Sequence, residues 1–106
     1  MIMIVNSLWR IVEVSPTDYH LMRNDCSFTL GCCNNYEKTI YVSDSLNYAK
    51  YKHVITHELC HAFIFELEID IPISEEERLC NMIADYGNDI VEIADLLSAE
   101  MEKARA

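Results

Sequence analysis

From Leu46 to Glu68 the chain runs without a single glycine or proline. Within that stretch Val54, Ile55, Leu59, Ala62 and Phe63 recur at three- and four-residue steps. That spacing lays apolar side chains along one face of an α-helix. Ser43-Asp44-Ser45 supplies candidate N-caps, because a short side-chain oxygen accepts from the free N–H groups of a first turn. Asp70-Ile71-Pro72-Ile73 ends the helix, since proline offers no N–H and clashes with the preceding turn. Whatever else the chain does, it must build around a long central helix.

Upstream of this helix the period is two. Leu8 to Ser15 alternates, with Trp9, Ile11 and Glu13 on one face and Leu8, Arg10, Val12 and Val14 on the other. Ser15-Pro16-Thr17-Asp18 closes that strand with turn chemistry. Ser27 to Cys33 is a second candidate strand, Asn34 to Glu37 a hairpin turn, and Lys38 to Ser43 a third strand. Downstream the period is helical again. Ser74 to Tyr86 reads as a second helix ending near Gly87. Asn88 or Asp89 then caps a third, with Ile90, Ile93, Leu97 and Met101 as its stripe. The terminal helix, Asp89 to Ala106, packs either on its own domain or on a second copy. Strands first and helices after predict an α+β fold. Its small antiparallel sheet of about three strands packs on the central helix and two further helices. The 106 residues are expected to form one domain, 1–106.

Composition removes several function classes. No apolar run reaches the ~18 residues of a membrane span. The opening MIMIV is too short for a signal-peptide core and lacks a cationic lead-in, so the expected location is cytoplasmic. Five cysteines without a C-x-x-C pair argue against both a disulfide framework and a cysteine-only zinc knuckle. A net charge of −10 argues against direct nucleic-acid binding, which requires a basic face.

Inside the long helix lies His57-Glu58-Leu59-Cys60-His61, an H-E-x-x-H pattern. Positions i and i+4 stack one turn apart on the same face. Two imidazoles there reach one metal ion at ~2.0–2.1 Å. Glu58 projects in a neighbouring direction, placing a carboxylate beside the ion as a general base. By chance the pattern has a probability of roughly 1–2% in such a chain. The bland alternative is a helix that happens to carry two histidines.

A catalytic zinc takes three protein ligands and keeps one open position. His53 shares the helix but lies ~12 Å from His61 along the axis, too far to share the ion. The second helix offers Glu77, with Asn81 and Asp85 following at four-residue spacing. Glu77 is the expected third ligand, and Asn81 the expected hydrogen-bond partner of a ligating ring. Glu76 is the alternative ligand. Ser74-x-x-Glu77 also matches a capping box, which would turn Glu77 back onto the Ser74 backbone. Cys32 or Cys33 as third ligand would resemble the arrangement of peptide deformylases, whose other segments are missing. Tyr48, Tyr51 and Tyr86 can each donate to an oxyanion or sit half-buried as structural residues. Cys60 points away from the two histidines, toward the core.

The segment TIYVSDSLNYAKYKHVITHELCHAFIFE followed by EEERLCNMIADYG resembles small zincin-type metallopeptidases, in particular the ImmA/IrrE group and its compact phage and prophage relatives. The likeness covers roughly residues 28 to 88, with Cys60 where the motif usually carries glycine or alanine. It implies a minimal zincin-like fold, with His57 and His61 as zinc ligands, Glu58 as general base and Glu77 as a gluzincin-like third ligand. The group is associated with cleavage of transcriptional repressors, so a basic repressor-type protein is an expected partner for this acidic chain.

These readings converge on a zinc-dependent peptidase whose polypeptide substrate lies along an exposed sheet edge, either Lys38–Ser43 or Ser27–Cys33. The rival is a non-catalytic accessory protein with a structural or vestigial metal site.

Overall fold

A computed structural model describes residues Met1–Ala106. The strands are β1 (Ile2–Ile4), β2 (Ser7–Val14), β3 (Gly31–Asn34) and β4 (Thr39–Ser43), and a short 3-10 turn spans Tyr19–Leu21. Two helices follow, α1 (Tyr48–Glu66) and α2 (Ile73–Arg105). The class is α+β, as the order of sequence periods indicated. No helix is long and apolar enough to cross a membrane.

The sheet departs from the expected three antiparallel strands. It has four, in the order β1-β2-β4-β3. β1 pairs antiparallel with β2, and β3 antiparallel with β4, but β2 and β4 run parallel, with Ile11 beside Ile40. The chain leaves the sheet after Val14, crosses one face through the 3-10 turn, and re-enters at the far edge as β3. β4 then fills the gap between β3 and β2, which fixes its direction. β1 escaped the sequence reading because its turn lacks a signal. Val5 begins the turn at φ 54°, a left-handed position that ordinarily takes glycine.

The sheet is covered on both faces. Trp9, Ile4 and Ile40 pack with Ala62 of α1, joined by Ile11, Cys33, Ile55 and Leu59. On the opposite face the His20 ring stacks on Tyr41, with centroids 3.9 Å apart. β4 is therefore buried along its whole length. Lys38–Ser43 cannot be a substrate edge; the free edges are β1 and β3.

α1 starts later than expected, with Asn47 as its N-cap accepting from the Lys50 N–H. Its apolar face is also rotated from the sequence estimate. Val54, Cys60, Ala62 and Ile64 are buried while Phe63 is 44% exposed. α2 shows the larger departure. It runs unbroken through Gly87, so the second and third expected helices are one. Gly87 keeps a negative φ. A lone glycine costs a helix only about 1 kcal/mol and stops it only by adopting the left-handed conformation. The capping box also fails to form. Ser74 already lies inside α2, whose N-cap is Pro72 with no side-chain cap.

Candidate metal centre

α1 and α2 pack side by side in opposite directions, and matched four-residue periods turn their facing sides into a ladder. His53, His57 and His61 rise along α1; Glu77, Asn81 and Asp85 along α2. His61 Nε2 meets Glu77 Oε1 at 2.9 Å. Asn81 stands level with His57 on the middle rung. His53 Nε2 meets Asp85 Oδ1 at 2.7 Å. Below these polar rungs the seam is apolar, where Cys60 and Ile64 pack on Cys80 with Leu79 and Ile83 at the margin. Cys60 is thus a core residue, as its helical direction implied.

His57, His61 and Glu77 form a group able to hold a metal ion, each offering one donor atom, all within 4.8 Å of one another. The two Nε2 atoms are 3.2 Å apart, and the two Glu77 oxygens divide between them, Oε2 3.3 Å from His57 Nε2 and Oε1 2.9 Å from His61 Nε2. A tetrahedral site with donors at ~2.05 Å has edges of about 3.3 Å. Each of these separations is close to the one that a small divalent cation imposes, with one carboxylate oxygen facing each ring. Glu77 is also the most open member, its side chain 48% exposed against 17% and 10% for the rings.

The protonation pattern fits the same donor set. His61 Nδ1 lies 2.5 Å from Glu76 Oε2. An ionised carboxylate only accepts, so Nδ1 carries the proton and Nε2 presents its lone pair to Glu77. Burial, reinforced by His61, holds the His57 ring below the ordinary imidazole range despite Glu77 and Asn81. Lone pairs and a carboxylate crowded at 2.9–3.3 Å repel unless a proton or a cation lies between them.

Glu58 is buried on the sheet side of the group. Desolvation pushes its carboxyl up to about 7, with Glu77 adding to the rise and His61 and the Cys33 backbone N–H opposing it. That N–H belongs to the free edge of β3. Gly31 makes the approach possible, since a Cβ there would lie 2.7 Å from Val54 Cγ1 and 3.1 Å from Glu58 Cγ. Only a glycine lets the strand lie this close to α1.

Of the residues singled out from sequence, His57, Glu58, His61, Glu77 and Asn81 come together. Cys32 and Cys33 lie outside the donor group, and burial pushes the Cys33 thiol up to about 12, so it stays protonated. Tyr48 and Tyr86 are largely exposed. Two features were missed. Glu76, weighed as a ligand, instead holds the outer nitrogen of His61. His53, set aside as too distant, pairs with Asp85 in a groove of about 370 Å³ that Tyr48, Lys52, Thr56 and Asp89 also line. The signal for the second was in the sequence, where the 53-57-61 and 77-81-85 series share one period.

Compared with family models, curated proteins and solved structures, the chain matches none.

Proposed function

We propose that this protein is a zinc-dependent peptidase of minimal zincin-like design, related to the ImmA/IrrE group. One observation carries the reading. Two imidazole nitrogens and a carboxylate group converge at 2.9–3.3 Å on a helix pair, with a second, buried carboxylate beside them. Two nitrogens and one oxygen suit zinc, and three protein donors leave its fourth position open. When bound, zinc polarises a carbonyl oxygen and lowers the pKa of a coordinated water toward ~7.

The chain's own residues supply the rest. Glu58 takes a proton from the attacking water and returns it to the leaving amine. Its burial at the foot of β3 excludes solvent and keeps the carboxylate from turning away. Glu76 and Asn81 hold the two rings in fixed tautomer and orientation. The substrate is a polypeptide laid along the outer edge of β3, where backbone groups at Gly31 and Cys33 pair with it as a strand would. The acidic surface, at −10 net, favours a basic polypeptide such as a repressor.

The test uses protein purified without a His tag. About one zinc per chain is expected. Glu58→Gln should keep that zinc and lose cleavage of basic test polypeptides. A chain that takes up no zinc at neutral pH ends the proposal, and one that binds zinc with Glu58→Gln as active as the parent ends the assignment of the base. A bound ion with no cleavage in either protein would instead favour the accessory role.

A further inference from the structure

The far half of α2 has nothing to lean on. Counting along the ladder from the His53–Asp85 rung, Asp89 comes level with Ala49, next to the first residue of α1. Residues from Val91 to Arg105 continue past that point for ~22 Å at 1.5 Å per residue. They account for the molecule's elongation, 57 Å against 32 and 28 Å. Every residue from Asn88 to Ala106 is exposed. Yet Ile90, Val91, Ile93, Leu96, Leu97 and Met101 are large apolar side chains, each 45–67% exposed. Because the helix is continuous through Gly87, this segment cannot fold back onto its own body.

The apolar residues are not scattered. Ile90, Ile93, Leu97 and Met101 follow four- and three-residue steps, the spacing of a helix-pairing seam. Val91, Ala94 and Ser98 flank it with smaller side chains that permit close approach. The stripe complements itself when reversed about Leu97. An antiparallel copy sets Leu97 on its own counterpart, Ile93 on the partner's Met101 and Ile90 on the partner's Ala104.

The charges favour the same direction. The basic residues Lys103 and Arg105 sit at the end of the tail and the acids Asp89, Glu92 and Asp95 at its root. Glu100 and Glu102 lie at the end of the tail too, and reversal sets Glu102 level with the partner's Glu92. But it also sets Arg105 level with Asp89 and Lys103 beside Glu92, and it opposes the two helix dipoles, whereas a parallel pair would stack every charge on its own counterpart. A strip ~27 Å long, covering a little under half of a helix 10–12 Å across, amounts to roughly 500 Å² per copy. About 1,000 Å² for the pair is the lower limit of a specific interface, consistent with micromolar affinity.

We infer that the projecting end of α2 is a homodimerisation helix, pairing antiparallel with a second copy about a two-fold axis near Leu97. The interface lies beyond the metal centre and does not depend on its chemistry.

Sedimentation and light scattering of the full chain provide the test. The expected mass is twice 12.3 kDa at a few hundred micromolar, falling to that of a single chain on dilution. Leu97→Glu and Leu97→Lys alter a side chain exposed in the single chain, so both should fold with unchanged circular dichroism yet remain monomeric. Because residue 97 meets itself across the axis, mixing the two variants in equal amounts should restore the doubled mass. A wild-type chain still monomeric at about 500 µM overturns the inference. So does dimerisation that survives either single variant, or a mixture that stays monomeric.

Discussion

Glu76 gives the sharpest test of how the centre is built. Its carboxylate lies 2.5 Å from His61 Nδ1, with side-chain exposures of 18% and 10%. Here the bond is largely shielded from water, so screening removes little of it. If Glu76 orients a ligating ring, its loss should weaken zinc without abolishing it. Outer partners of metal-bound histidines are typically worth 10–100-fold in affinity, about 1.4–2.7 kcal/mol. Glu76→Gln keeps an acceptor but removes the charge, and should fall near the tenfold end. Glu76→Ala leaves a buried N–H unpaired, and should approach a hundredfold. Glu77→Ala removes a donor from the triangle, and should lose stoichiometric zinc under the conditions in which both Glu76 variants still bind. Competition against a chromophoric chelator at fixed neutral pH measures all three. Nitrogen-15 spectra of the apo-protein should place the His61 proton on Nδ1 in the wild type. Equal affinity in Glu76→Ala and wild type would refute the orienting role. The reverse ranking, with Glu76→Ala null and Glu77→Ala near normal, would make Glu76 the ligand.

Three further outcomes follow from the same geometry. Gly31→Ala drives a methyl to 2.7 Å from Val54 and 3.1 Å from Glu58, so it should cost about 1–3 kcal/mol by urea unfolding; an unchanged midpoint would mean that β3 does not press on α1. Glu66 is held below the ordinary carboxylate range by Ser7, then by Lys38 at 3.0 Å and by the Trp9 N–H at 3.3 Å. A depressed carboxyl adds stability above its unfolded pKa and loses it as pH falls through its folded value. The midpoint gap between wild type and Glu66→Gln should therefore be widest near neutrality and close in acid; a gap independent of pH would contradict the ion pair. His53→Ala breaks a rung outside the donor triangle, so zinc affinity should stay within about threefold of wild type; a loss matching Glu77→Ala would place His53 on the metal.

The parts of this fold that could be read from sequence are those set by short-range periodicity. The α1 helix and the β2 strand declare themselves through residues three, four or two apart. So does the H-E-x-x-H pair, whose common face follows from helix geometry alone. Asn81 and Glu77 were placed by the same means, one helix further on. What stayed hidden depends on long-range pairing or on competition between weak signals. The parallel partnership of β2 with β4 joins residues about thirty positions apart, with no local mark. Gly87 resembled a helix stop, but its cost is small beside the hydrogen bonds that continue through it. Glu76 and Glu77 look alike in sequence, and only the rotation of α2 against α1 decides which meets Nε2 and which Nδ1.

That rotation ties the metal to the fold. Cys80 is the only buried residue of α2, so the apolar seam beneath the ladder is thin for a helix of 33 residues. The polar rungs must do more of the alignment than they would in a larger domain. Buried rungs of this kind are costly when half satisfied, and the donor group carries repulsion wherever no proton lies between its lone pairs and the carboxylate. An ion that neutralises it contributes to holding α2 in register as well as to chemistry. At a free concentration a hundred times its dissociation constant, such a ligand adds about 2.7 kcal/mol to the folded state. Chelation should therefore loosen α2 before it touches the sheet, whose core of Trp9, Ile4, Ile40 and Ala62 lies on the other side of α1. Hydrogen exchange that rises in residues 73–86 on chelation, while β2 and β4 stay protected, is the signature of that division. Uniform exchange across both regions would mean that the metal and the helix seam are energetically separate.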